Sequence, residues 1–270
     1  MTRPLRWTLA LAVALFADSQ SFAQFGSPII SPPPPPALTR TLGYYGWTKG
    51  TDILSALNKF IDNDCNATGN VALALPAGTL TLSATPHTIV GKTGCSIYGV
   101  GGGGTIISFT GNSGLYGTVF TLGQDGSGAS NTTNFDSIHD LEISYALCPG
   151  NNCGADVPTF KIINANDSYI WNISFVRGST AEQVGDAESN SSRIYEWGWS
   201  GDLNNGGASD KCQFDFQNAA NLQLWDGAFY VNLANSYTGQ FPGAFMCSQP
   251  PSGALDDTIL VNNFTIQVAA

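Results

Sequence analysis

The sequence predicts an all-β chain wound as a parallel β-solenoid, and three observations carry that expectation. The first is a recurring six-residue phrase, apolar–x–(Asp/Asn/Glu)–apolar–x–apolar. It reads IHDLEI at Ile138–Ile143, IWNISF at Ile170–Phe175, IYEWGW at Ile194–Trp199, LWDGAF at Leu224–Phe229 and VNNFTI at Val261–Ile266. Its starts are 32, 24, 30 and 37 residues apart, a period typical of stacked-repeat architectures. The second is an ungapped 16-residue match between FKIINANDSYIWNISF (Phe160–Phe175) and FDFQNAANLQLWDGAF (Phe214–Phe229). The third is a low-charge, turn-rich composition, with 11% charged residues and 31 Gly among 270 residues.

The phrase has a physical reading. Apolar–x–apolar is strand alternation, one side in and one side out. The polar third place interrupts it, because the first and fourth residues cannot both face inward on one continuous strand. A bend at the third place returns both to the core. Asn and Asp tolerate the left-handed backbone and hydrogen-bond locally, so they suit such a corner. The third places are Asp140, Asn172, Glu196, Asp226 and Asn263. One copy departs, with Gly227 at the fourth place.

In chain order, Arg3 and Arg6 precede an apolar run from Trp7 to Phe16 and a small-residue stretch ending near Gln24. That is the pattern of a secretory signal peptide over residues 1–23. Residues 24–42 contain SPPPPP and read as a Pro-rich linker, leaving 43–270 as the solenoid domain. TDILSALNKFIDN (Thr51–Asn63) places Ile53, Leu54, Leu57, Phe60 and Ile61 at helical spacing, with Thr51 as N-cap. VALALPAGTLTLS (Val71–Ser83) is two short strands about the turn Pro76–Gly78. Gly101–Gly104 lacks the Lys-Ser/Thr and the helix of a phosphate loop and reads as a corner. Polar, Gly-rich insertions separate the later repeats, and such loops often gather on one face of a repeat protein.

Removing residues 1–23 takes away two Arg and one Asp, so a net charge of −10 becomes about −11. That charge argues against nucleic acid and anionic membranes as partners, and no later apolar run approaches membrane length. The expected location is secreted, periplasmic or at the cell surface. Six cysteines in an exported chain imply bridges. Cys148 and Cys153 bracket a turn and are expected to pair; Cys65 with Cys95 and Cys212 with Cys247 are then the simplest partners, though spacing does not fix the connectivity. With two His and no C-x-x-C, no metal cofactor is expected. The six Asn-x-Ser/Thr sequons read as chance products of an Asn-, Ser- and Thr-rich chain.

A helix, then LALPAGTLTLS, then IYGVGGGGTIISF resembles the N-terminal cap and first coils of the pectin-lyase-like superfamily. The matching parts are Asp52–Ala56, Pro76–Thr79 and Gly101–Ile106, within about Thr51–Phe109. The resemblance implies a right-handed single-stranded parallel β-helix of about seven or eight coils, capped by the Thr51 helix. No matching helix follows the last repeat, so the expectation is that a loop or another subunit covers the C-terminal end, or that the chain is a truncated relative. The superfamily includes pectate lyases, polygalacturonases, rhamnogalacturonases and phage tailspikes, so the implied partner is a polysaccharide.

The phrase also sets out candidate site residues. Its second place holds His139, Trp171, Tyr195, Trp225 and Asn262. Stacked in register, the rings form an outward column on which sugars can dock. For hydrolysis by paired carboxylates the candidates are Asp202, Asp210, Asp215 and Asp226, with Glu182, Asp186 and Glu188 on the preceding loop. For elimination, which needs a base and often Ca²⁺ on the uronate carboxyl, the basic candidates are Arg177, Arg193, Lys161 and Lys211. The site set is therefore Arg177, Asp202, Asp210 and Asp226 for catalysis, with Ca²⁺ expected only for a lyase. The superfamily's polygalacturonase and pectate-lyase motifs are missing, so none of its catalytic residues carries over. An enzyme and a non-catalytic carbohydrate-binding or adhesive protein both remain open.

Overall fold

The computed structural model describes residues 33, 35–90, 94–101, 103–110, 117–123, 133–134, 136–145, 158–176, 180–184, 191–197, 199–202, 214–232, 246–248 and 259–269. For 133–134, 180–184, 191–195, 197, 201–202, 229–232, 247–248 and 266–269 the backbone path alone is described. Backbone contacts divide the chain into Met1–Ser31 and Pro32–Ala270; the fold below is that of the second unit.

The chain opens with β1 (Leu38–Thr41), then α1 (Leu54–Phe60), whose last turn widens over Ile61–Cys65. Next come β2 (Val71–Ala74), β3 (Gly78–Leu82), β4 (Cys95–Tyr98), β5 (Thr105–Phe109), β6 (Phe120–Leu122), β7 (Thr133–Asn134) and β8 (Ser137–Ser144). Then follow β9 (Pro158–Ile162), β10 (Ala165–Val176), β11 (Thr180–Val184), β12 (Ser191–Trp197) and β13 (Ser200–Asp202). The last are β14 (Phe214–Phe216), β15 (Ala219–Ala220), β16 (Gln223–Asn232), β17 (Met246–Ser248) and β18 (Leu260–Ala269).

Every strand pairing among the described residues is parallel, as a solenoid requires. In the main sheet β1 stacks on β2, then β4, β8, β10, β12, β16 and β18 in turn. Past the corner, β3, β5 and the ends of β8 and β10 continue through β13 into β16. A second sheet stacks β6, β9, β11, β14 and β17. β1 lies inside the stretch read as linker; at four residues, only its pairing with Val71–Ala74 reveals it as a strand.

The predicted corner is present. Asp140, Asn172, Asp226 and Asn263 all take the left-handed backbone, at φ 57, 51, 54 and 56°. One copy was misread. Trp197, not Tyr195, pairs with Trp171 and with Trp225, so IYEWGW is displaced by two residues. Successive rungs there are 26 and 28 residues apart, not 24 and 30 (171 to 197 to 225). The two 16-residue matches are thus alternate rungs, 54 residues apart. Glu196 is consequently no corner residue: it stands between Ile170 and Leu224 in the inward column and is fully buried. A slip of two keeps every side chain on its own face, so alternation alone could not expose it.

The core is a set of inward columns. Leu73, Ile97, Ile138, Ile170, Glu196 and Leu224 follow one another in register, each 0–1% exposed. Stacking like on like removes each apolar side chain from water on both axial sides, worth about 1.5–3 kcal/mol for each large aliphatic residue. Trp199 lies flat on Phe175 (5.5 Å between centroids, 18° between planes) and edge-on to Phe160 and Phe214. Gly227 is explained here: a Cβ at that position would overlap the Phe264 ring of the next rung.

The helix packs Ala56, Leu57, Phe60 and Ile61 into this same core. It is shorter at its start than predicted. Thr51 does not cap it; its Oγ1 donates to the Thr48 carbonyl, while Asp52 Oδ1 accepts from the Leu54 amide at 2.6 Å. A disulfide joins Cys65, at the helix end, to Cys95, the first residue of β4. The expected pairs Cys148–Cys153 and Cys212–Cys247 involve residues outside those described. No helix among the described residues is long and apolar enough to cross a membrane.

Candidate functional site

The outer face of the main sheet carries one row of side chains, built by strand alternation and held in line by parallel pairing. Its members in register are Tyr98, His139, Trp171, Trp197, Trp225 and Asn262. Three of the four ring-bearing residues expected from sequence, His139, Trp171 and Trp225, belong to it. Tyr195 does not: it pairs with Tyr169 and Gln223, two positions earlier along the strands. Trp197 takes its place. Tyr98 was also missed, because SIYG has Gly99 where later copies have Asp or Asn. That glycine is required, since a Cβ there would overlap the Asp140 carbonyl oxygen and the Thr105 side chain. The signal able to find Tyr98 is apolar–aromatic–(Gly/Asx), a wider third place; Trp197 follows the charged Glu196, and only its pairing on both sides reveals it.

The first three rings lie on one another. Tyr98 and His139 are parallel within 5°, with centroids 5.2 Å apart. His139 and Trp171 are parallel within 7°, at 3.8 Å. The faces between these rings are therefore closed, and the row turns ring edges outward. Tyr98 is an exception on its far side. Its register neighbour there is Ala74, and Thr41 follows. Alanine is too small to cover a phenol ring, so one face of Tyr98 ends the row in a notch. At the other end Trp225 is covered, at 7% exposure.

Beside the row runs the corner, with its own hydrogen bonds. Asn172 Nδ2 donates to Asp140 Oδ1 at 2.9 Å, and Asn263 Nδ2 donates to Asp226 Oδ1 at 2.6 Å. Asp140 Oδ2 also meets His139 Nδ1 at 2.7 Å. Burial among the rings pushes the His139 pKa below its usual value, opposed by its bond to Asp140 and by that carboxylate's charge. The neutral imidazole is therefore the resting form near neutral pH.

Among the described residues, the catalytic candidates are not gathered at this corner. Asp226 is exposed there, hydrogen-bonded to Asn263. Asp140 and Asp226 are three rungs apart, about 14 Å at the usual strand spacing, beyond the roughly 5–9.5 Å of a glycosidase carboxyl pair. Asp202 ends β13, in register with Val176 and Tyr230. Arg177 and Asp210 lie outside the described residues, as do Asp186, Glu188 and Lys211. Asp215, Lys161 and Glu182 belong to the second sheet, and Arg193 to β12. No group of three or more His, Cys, Asp or Glu among the described residues is placed to hold a metal ion.

No family model and no curated protein matches this chain. Solved structures do. The iota-carrageenase of A. fortis, family GH82, superposes with a TM-score of 0.63 at 14% identity, over 86% of this chain and 51% of that one. A candidate glycosyl hydrolase from Parabacteroides merdae gives 0.57 at 12% identity, over 84% of this chain and 97% of that one. An iota-carrageenase complexed to iota-carrageenan fragments gives 0.53 at 13% identity, over 75% and 50%. This chain thus spans about half the length of the two carrageenases. The shared fold is the right-handed parallel β-helix.

Proposed function

We propose that this is an exported, polysaccharide-active β-helix protein that holds a glycan along the outer face of its main sheet. The observation that carries the reading is the registered row from Tyr98 to Trp225, uncharged and ring-bearing at five consecutive rungs. Successive rungs are about 4.8 Å apart, close to the length of one sugar unit, so an extended glycan lying along the stack meets one rung per sugar. The notch over Ala74 leaves a Tyr98 face for the C–H face of one sugar ring. The ring edges beside it offer the Tyr98 hydroxyl and the His139 Nε2 to sugar hydroxyls. The likeness to carrageenases, one of them with glycan fragments bound, supports a polysaccharide as the ligand class. The leader pattern and the Cys65–Cys95 bridge support an oxidising, extracytoplasmic location.

The test is a glycan panel scored for binding and for release of reducing or unsaturated ends. Tyr98→Ala should weaken binding at least about tenfold. Ala74→Trp, which fills the notch, should do the same with the melting temperature held. Binding that neither change disturbs, or no binding to any glycan, overturns the reading.

A second reading, an enzyme, has one observation behind it. The register of Val176 with Asp202 brings the residue before Arg177 beside a carboxylate-bearing position on the next rung. In that reading Asp202 is one carboxylate of a hydrolytic pair, or Arg177 is the base of a uronate elimination with Ca²⁺ on the substrate carboxyl. Asp202→Asn would then abolish product release while leaving binding by the row intact; a chain that releases no product from any bound glycan is a binding protein.

A further inference from the structure

We infer that the row takes an uncharged glycan and disfavours sulfated and uronate polymers; this rests on the reading of the row as the sugar surface. The members of the row are Tyr, His, Trp, Trp, Trp and Asn. Among the described residues, the charges nearest to it are negative. Asp140 and Asp226 occupy the adjoining corner, and Glu142 lies two positions beyond Asp140 on β8. Among the described residues, the side-chain hydrogen bonds on these two corner carboxylates come from neutral groups, the Asn172 and Asn263 amides and the His139 ring. Their charge is solvated but not cancelled by those donors. Asp140 in particular touches a ring of the row itself.

The described cations lie elsewhere. Arg40 is on the first rung, two before Tyr98, with its guanidinium 4.1 Å above the Tyr44 ring. Lys49 lies in the loop before α1, Lys59 donates to the Tyr45 carbonyl, and Lys161 is on β9 in the second sheet. By register Arg193 stands beside Asp167 and Asn221, four residues before Trp197. The chain as a whole carries a net charge of −10. A sulfate or carboxylate on a glycan in this row meets carboxylates at close range with no described cation in the row or its corner. Coulomb repulsion at such distances weakens binding by about tenfold or more, and does so less at high salt. A neutral sugar meets no such term. Of the two chemistries open to an enzyme on this fold, an uncharged substrate is compatible with hydrolysis and not with uronate elimination.

The experiment measures affinities by titration calorimetry. The neutral probes are β-glucan, xylan and agarose oligosaccharides; the charged probes are iota-carrageenan and polygalacturonate oligosaccharides. Each is run at low and high salt, and with calcium or with chelator. The expected result is a neutral ligand bound at least about tenfold more tightly than either polyanion, with a salt-independent affinity. Residual polyanion binding should strengthen as salt rises. Glu142→Gln and, separately, Asp226→Asn should improve polyanion binding by about threefold or more. Tighter binding of a polyanion, with or without calcium and lost in Tyr98→Ala, overturns this inference and leaves the row as the sugar surface. If no probe binds, or if Tyr98→Ala changes nothing, the reading beneath it fails and the inference falls with it.

Discussion

Replacing Asn172 tests the corner on which the registered row depends. Its backbone is left-handed, at φ 51°, and its amide donates to Asp140 Oδ1 at 2.9 Å. Alanine loses both advantages. A Cβ without a local hydrogen bond in the left-handed region costs about 1–2 kcal/mol. The lost hydrogen bond, at an exposed position, adds about 0.5–1 kcal/mol. Asn172→Ala should therefore destabilise by about 1.5–3 kcal/mol. Glycine restores the backbone but loses the bond and gains freedom when unfolded, so Asn172→Gly should cost about 1–2 kcal/mol. Asn172→Asp tolerates the conformation but sets a second carboxylate against Asp140. It should be destabilised at neutral pH and recover as acid protonates the pair, because like charges at this distance resist joint ionisation. Equilibrium denaturation of the three variants, with melting curves at neutral and acid pH, reads this out. If alanine costs no more than glycine, the corner is not held left-handed and the explanation of the repeated Asx position is wrong.

Further outcomes follow from the same geometry. His139 has a folded pKa below its unfolded value of about 6.5, chiefly through burial. The stability it contributes as a neutral ring is fully present above that value and is lost as pH falls through the folded pKa. An imidazole titration by NMR should give a midpoint under about 6.5, and melting of His139→Phe should lose this dependence; a raised midpoint would contradict the burial argument. Ile170 and Val261 occupy the same inward column, but Ile170 is 0% exposed and Val261, on the last rung, 37%. Ile170→Ala should cost about 2–5 kcal/mol and Val261→Ala under about 1; equal losses in denaturation would mean that the last rung is covered in solution. The Cys65–Cys95 bridge closes a loop with a sequence separation of 30, so Cys65→Ser with Cys95→Ser should lower stability by about 3–4 kcal/mol. A melting temperature unchanged in that double variant would show that the bridge does not constrain the unfolded chain.

Much of the winding was legible in the sequence because a solenoid repeats its local problem. The same left-handed corner recurs at Asp140, Asn172, Asp226 and Asn263, and only a few residue types solve it, so the phrase shows. The register of a single rung was not legible. Ile194, Glu196 and Trp199 offered two framings that alternation cannot separate, and the apolar Ile194 drew the phrase two residues early. The structure instead accepts Glu196 in the core between Ile170 and Leu224. Local hydropathy does not anticipate a buried carboxylate, since its place is fixed by pairing on both neighbouring rungs. Tyr98 was hidden for a related reason: close packing against the Asp140 carbonyl demands glycine at the corner, and glycine is silent in an Asx pattern. Stacked rings were foreseen as a row, but not that parallel stacking at 3.8 Å would close their faces to one another. The catalytic candidates rest on residue type and, for Arg177, on its place just after a coil strand, and neither encodes which loops converge.

The most direct measurement of the central claim is a crystal structure of the protein with a neutral oligosaccharide bound. Sugar units running along the stack beside Tyr98, His139 and Trp171, with one ring seated on Tyr98 above Ala74, are what the account predicts. A glycan lodged against the second sheet, or on the main sheet with the Tyr98 notch vacant, would contradict it.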